Sequence, residues 1–71
     1  MKFFKRMITM HKNLFITRKE QRMTQEDVGK IVNMHRQTYY LKECGKKDFT
    51  LKEAQKLAKY FKTTVDELFA K

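Results

Sequence analysis

Seven consecutive residues, His35-Arg36-Gln37-Thr38-Tyr39-Tyr40-Leu41, set an imidazole, a guanidinium, a primary amide, a hydroxyl and two phenols side by side. Such groups exchange hydrogen bonds, and no Ser/His/Asp grouping, paired-carboxylate pocket or glycine-rich phosphate loop accompanies them to make or break covalent bonds. Cys44 is alone, so neither an internal disulfide nor a Cys-based zinc cluster can form, and it reads as a structural thiol. His11 and His35 lie twenty-four residues apart, without a metal-ligand pattern. Catalysis, a metal, a cofactor and a small-molecule ligand are therefore not expected. The chemistry on offer is recognition.

What would be recognised follows from charge. Seventeen Lys and Arg against eight Asp and Glu leave a formal charge of +9 on 71 residues. That excess opposes folding by self-repulsion and suits a polyanionic partner, with nucleic acid the first candidate and a membrane surface the second. The basic and apolar run "MKFFKRMITM" has no stretch long enough for a signal peptide or a membrane span, so a cytoplasmic protein without a membrane partner is expected. The length admits one domain, here placed at residues 12–71 after an N-terminal extension at 1–11. A chain so short buries only about 60% of its unfolded surface, which leaves it marginally stable unless it associates. Six Phe and three Tyr, with charge spread along the chain, still argue for a folded globule.

The recognising residues need elements to hold them. Three stretches share the form Thr-x-x-acid: Thr24 to Asp27, Thr50 to Glu53 and Thr64 to Glu67. In each, the threonine hydroxyl can accept from the amide three residues on while the carboxylate reaches back, so each marks a helix start. After Thr50, Leu51, Ala54, Leu57, Ala58 and Phe61 form one apolar stripe at helical period, ending near Phe61. A short last helix turns Val65, Leu68 and Phe69 inward, and a first helix is read over Leu14 to Gln21. A further helix runs from Arg36 to Cys44, with Tyr39 in the core, Tyr40 outside and Gly45 as its left-handed end. No stretch alternates with period two. The reading is an all-α, compact five-helix bundle.

With no proline and only two glycines available, one glycine, Gly29, falls inside the helix opened by Thr24. Glycine there costs roughly 0.5–1 kcal/mol against alanine, so a side chain would obstruct something. A second helix crossing at a steep angle provides the obstruction, as in a helix-turn-helix. Val28 and Val32 then face the core, Asn33 takes the left-handed turn, and Met34 and Tyr39 pack back. On this reading alanine at position 29 is tolerated and valine is not.

The segment resembles the Cro/repressor-type helix-turn-helix family of phage and bacterial regulators, also called the xenobiotic-response-element family. The residues that carry the likeness are Thr24-Gln25-Glu26, Gly29, Asn33, the helix Arg36 to Cys44, and Glu43-Cys44-Gly45, with "LKEAQKLAKYFKTTVDELF" downstream. It covers roughly Leu14 to Phe69. Three positions depart from the pattern: Asn33 replaces the turn glycine, Arg22 replaces a glycine before the Thr24 helix, and Lys42 replaces an apolar residue.

The resemblance implies a lambda-repressor-like DNA-binding domain whose second motif helix enters the major groove of double-stranded DNA. By position, Arg36 and Gln37 would read bases, with His35, Tyr40 and Leu41 as further base contacts. Gln25, with amides near it, and Lys46, Lys47 and Lys42 would touch phosphates. An arginine fork matches guanine O6 and N7, a glutamine amide matches adenine N6 and N7, and Leu41 can meet a thymine methyl. The implied function is transcriptional regulation by a phage or prophage-type Cro or repressor, a homodimer at a palindromic operator. Its dimer surface is expected around Val65 and Phe69 or around Phe3, Phe4 and Ile8. The alternatives are an antitoxin with a protein partner that represses its own operon, a module that binds protein through its C-terminal helices, and an RNA binder.

Overall fold

The computed structural model describes residues 11–70. Among them five helices follow one another: α1 (Lys12–Glu20), α2 (Gln25–Ile31), α3 (Arg36–Glu43), α4 (Leu51–Tyr60) and α5 (Val65–Leu68). The described residues contain no strand. α2 packs against α3, α5 against α4, and α1 against α5. The extension, and with it the surface expected around Phe3, Phe4 and Ile8, lies outside the described residues except for His11.

Local chemistry sets the helix starts. Thr24 accepts from the Asp27 amide at 3.0 Å while the Asp27 carboxylate accepts from the Thr24 amide at 2.9 Å. Thr50 and Glu53 repeat this reciprocal box at 3.1 and 3.0 Å. Only half of the third forms: Thr64 accepts from the Glu67 amide, but the Glu67 carboxylate takes the Thr63 hydroxyl at 2.8 Å. The preceding hydroxyl competes for the carboxylate that would otherwise reach back.

The ends of α1 to α4 share one device. The residue after each C-cap is left-handed, with φ 57° at Arg22, 54° at Asn33, 85° at Gly45 and 56° at Lys62. In each case the next amide reaches back to a carbonyl in the last turn, as from Met23 to Arg18, Met34 to Gly29, Lys46 to Leu41 and Thr63 to Ala58. These bonds satisfy carbonyls that the helix end would orphan. Glycine is the usual residue there because it lacks the Cβ clash, yet this chain uses it once in four. Asn33 and Gly45 were legible in the sequence, and Arg22 only through the family glycine that it replaces. Lys62 was not, because nothing about a lysine announces a positive φ.

Leu14, Val28, Val32, Tyr39, Leu57, Ala58 and Leu68 form the core, with Met23, Ile31, Met34, Phe49, Phe61, Val65 and Phe69 packed around it. Fully burying an aliphatic side chain such as Leu14, Leu57 or Val28 contributes roughly 1.5–3 kcal/mol. Phe49 joins the loop after α3 to this core, its ring edge-to-face with Tyr39 at 6.0 Å, Phe69 at 5.3 Å and His11 at 5.4 Å. Phe69 also meets His11 at 5.2 Å. The expected α4 stripe holds for Ala54, Leu57, Ala58 and Phe61 but not for Leu51, which is 67% exposed. Leu51 lies only about 20° around the helix from the buried Ala58, and it is exposed because it stands in the first turn, two turns away at the open end of α4.

Gly29 sits where α2 meets the turn into α3. A Cβ built on it would lie 2.8 Å from the Met34 carbonyl oxygen and 3.5 Å from the Tyr39 Cβ. The obstruction is backbone, so it cannot rotate away. The close crossing is as expected, but alanine is not accommodated: the first carbon of any side chain already collides.

Candidate nucleic-acid interface

The residues of α3 divide cleanly by face. Tyr39 and Glu43, four apart, point inward; His35, Arg36 and Gln37 are exposed, and Tyr40 is 45% exposed. Leu41 is half-buried. α3 starts after His35 in extended backbone, and no side chain caps it. A shallow groove between α2 and α3 is lined by Glu26, Lys30, Asn33, Met34, His35 and Arg36. Arg36 therefore shares one open surface with the beginning of α2, while Lys46 and Lys47 stand exposed just past the other end of α3.

What holds α3 in that attitude is a buried polar network. The carboxylate of Glu43, 2% exposed, accepts from Arg18 Nε at 2.9 Å and Tyr39 Oη at 2.7 Å on Oε2. Its Oε1 accepts from Arg18 Nη2 at 3.1 Å and Gln25 Nε2 at 3.2 Å. Those four bonds fill the acceptor capacity of a carboxylate. Arg18, 5% exposed, spends its remaining fork nitrogen on the Met23 carbonyl at 3.0 Å. One ion pair thus ties α1, the α1–α2 loop, the start of α2 and the whole of α3. The amide of His11 adds a bond to the Glu43 carbonyl at 3.0 Å.

Ionisation follows this geometry. Burial pushes the Glu43 carboxyl up, but the bonds from Arg18, Tyr39 and Gln25 outweigh it and hold it below the usual carboxylate range. The Glu43 hydrogen bond raises Arg18 further above its ordinary value against the opposing effect of burial. Burial, then the neighbouring carboxylate, raises the Tyr39 phenol. The site is an ionised pair with a neutral phenol, and among the described residues no buried side-chain polar atom lacks a hydrogen bond.

Other residues named from sequence take these places. Lys42, expected at phosphate, donates to Glu53 Oε1 at 2.8 Å with its side chain 13% exposed, and its ammonium lies 6.0 Å from the Phe49 ring centre. Its charge is therefore engaged within the fold. Gln25 sits at the start of α2 as expected, half-buried, with its amide turned to Glu43. The amides of Thr24 and Asp27 beside it are taken by the capping box. The Cys44 thiol donates to the Tyr40 carbonyl at 3.0 Å, a local helix bond. Val65 and Phe69, expected to meet a second copy, pack against the chain's own core.

The pairing of Arg18 with Glu43 was missed in the sequence, although a signal existed. Glu43 falls one helical turn after a core tyrosine and Arg18 one turn after the core Leu14, so both charges project inward and need partners.

Comparison with known proteins agrees with this arrangement. A model of the helix-turn-helix family matches residues 16–68. An uncharacterized HTH-type transcriptional regulator of Methanocaldococcus jannaschii is 43% identical over 47 residues, 66% of this chain and 71% of the relative. No solved structure matches the chain significantly. The matched span contains all of α2 to α5 and the buried pair that fixes α3, and the chain belongs to the helix-turn-helix family of the xenobiotic-response-element type.

Proposed function

We propose that the protein is a DNA-binding transcriptional regulator that reads double-stranded DNA in the major groove with the first turns of α3. The observation that carries this reading is the division of α3: Arg36 and Gln37 stand exposed together at its N-terminal turn while Tyr39 and Glu43 anchor its other face. A guanidinium and an amide held on a fixed helix supply the two bidentate donor and acceptor patterns that separate guanine from adenine. His35, Tyr40 and Leu41 flank them as further base contacts. Gln25, Lys46 and Lys47 set register on the phosphates. Lys42 is left out of the interface because Glu53 neutralises it.

Family membership and the relative's name as a transcriptional regulator support the same reading. In its finer form, the protein is a Cro- or repressor-type homodimer in the cytoplasm that occupies a palindromic operator and blocks the promoter there. Selection of bound sites from a random duplex library tests both levels. The expected result is a two-fold symmetric motif with guanine and adenine specified within each half-site. Recovery of sequences with no shared motif would remove sequence-specific reading and favour a protein-binding role.

A further inference from the structure

On a chain of formal charge +9, one surface of the described residues has the opposite character. A groove along one flank of α1 is lined by the apolar Ile16, Phe61 and Leu68 and by the acidic Glu20 and Glu67, with no lysine or arginine in its walls. Ile16 is 41% exposed, and neither carboxylate forms an ion pair with a described residue. Asn13 Nδ2 donates to the Glu67 carbonyl at 3.0 Å, which puts Glu67 at the end of the groove nearest the start of α1. Along α1, Ile16 follows Asn13 by about one turn and Glu20 follows Ile16 by another. The groove therefore runs acid, apolar, acid over about 10 Å.

Residues 1–10, which precede α1, contain the complementary order. They include no acidic residue, and Lys2, Phe4 and Arg6 recur with period two, so an extended backbone sets basic, apolar, basic on one face over about 13 Å. We propose that residues 2–6 dock into this groove of their own chain, antiparallel to α1, with Arg6 at Glu67, Phe4 on Ile16 and Lys2 at Glu20. Reversing a chain takes about four residues, and four separate Arg6 from His11. The connection is short, so docking within the chain operates at a millimolar effective concentration and outcompetes the same segment of a second copy. It covers Ile16 and adds apolar burial to a chain whose length leaves its core small. No residue of α2 or α3 lines the groove, so the inference is independent of the DNA-binding reading and leaves the exposed face of α3 open.

Thermal melts of the full chain without DNA test it. Phe4→Ser should lower the melting temperature by about 4–8 °C, Ile16→Ser by a similar amount, and the double variant by little more than either alone, because both remove one contact. Fully additive losses, or no loss with Phe4→Ser, would overturn the proposal. Charge supplies a check of opposite sign. Lys2→Glu/Arg6→Glu reduces the net positive charge, so relief of self-repulsion alone would raise the melting temperature. Docking requires a fall instead, part of it restored by adding Glu20→Lys, and a rise or no change would overturn the assignment. The occupant is identified by NMR of isotope-labelled chain diluted into unlabelled chain, where nuclear Overhauser contacts between Phe4 and Ile16 should appear within one labelled chain. Contacts only between labelled and unlabelled chains would mean exchange of segments between two copies and would overturn docking within the chain. Absence of any contact would overturn it outright.

Discussion

At the scale of single residues, the consequential group is Glu43. Its replacement by alanine leaves Arg18 buried with no opposing charge, a loss of about 3–5 kcal/mol for a broken buried pair. At the low end of the roughly 5–15 kcal/mol typical of a whole domain, where a chain this short belongs, that is most of the total stability. Urea titration should show it, with Arg18→Met/Glu43→Leu far closer to the parent. The ion pair also sets acid behaviour. Because the native carboxyl is held below its ordinary 4.5, the unfolded chain binds more protons between the two values. The stability from Glu43 is therefore complete above that ordinary value and lost as pH falls through the depressed native one. Acid titration of the double variant should lack this contribution, and an unchanged acid midpoint would show that other carboxylates govern it. Gly29 is the second case. Alanine gains roughly 0.5–1 kcal/mol in helix propensity but places a carbon 2.8 Å from the Met34 oxygen. Overpacking costs typically about 1–3 kcal/mol, so Gly29→Ala should lower the melting temperature and Gly29→Val should lower it further.

At the scale of elements, helix ends store strain that sequence composition conceals. A non-glycine residue in left-handed backbone costs roughly 1–2 kcal/mol, and Lys62 is exposed with no ion pair to a described carboxylate. Lys62→Gly relieves that strain and returns part of it as unfolded-state entropy, for a net gain of about 0.5–1 kcal/mol. Thermal melts check the sign. For α3, reading and anchoring should separate. Arg36→Ala and Gln37→Ala should each remove about 1–3 kcal/mol from operator binding and relax preference at one or two base pairs. Lys46→Ala or Lys47→Ala should weaken operator and random duplex alike, lowering the salt slope by about one for each phosphate no longer neutralised. Titrations on both duplexes at several salt concentrations measure the two effects together. An unchanged operator-to-random ratio for Arg36→Ala and Gln37→Ala would show that α3 does not read.

At the scale of the whole molecule, the proposed reading gives each chain one reading helix, α3, and so one half-site. Two copies related by a two-fold axis should therefore occupy an operator whose half-site centres lie about 34 Å apart, or a multiple of that. Sedimentation of the protein on selected operator DNA should give two chains per site. Saturation at one chain, with no symmetry in the selected sequences, would rule out the dimer.

The all-α class, the three threonine-led starts, the close approach at Gly29 and the exposed pairing of Arg36 with Gln37 were determined by sequence alone. Each depends on neighbours within one or two turns, where spacing is geometry. The polar network was decided only by tertiary structure, since Arg18 and Glu43 meet across twenty-five residues and no local rule ranks one partner over another. The same limit explains Lys42, a free cation by spacing but neutralised by Glu53 once α3 and α4 lie together. It also explains Gly29, whose need for a missing Cβ was legible although the distance that excludes even alanine was not. Helical period specifies which way a side chain points, and only the packed chain specifies what it meets there.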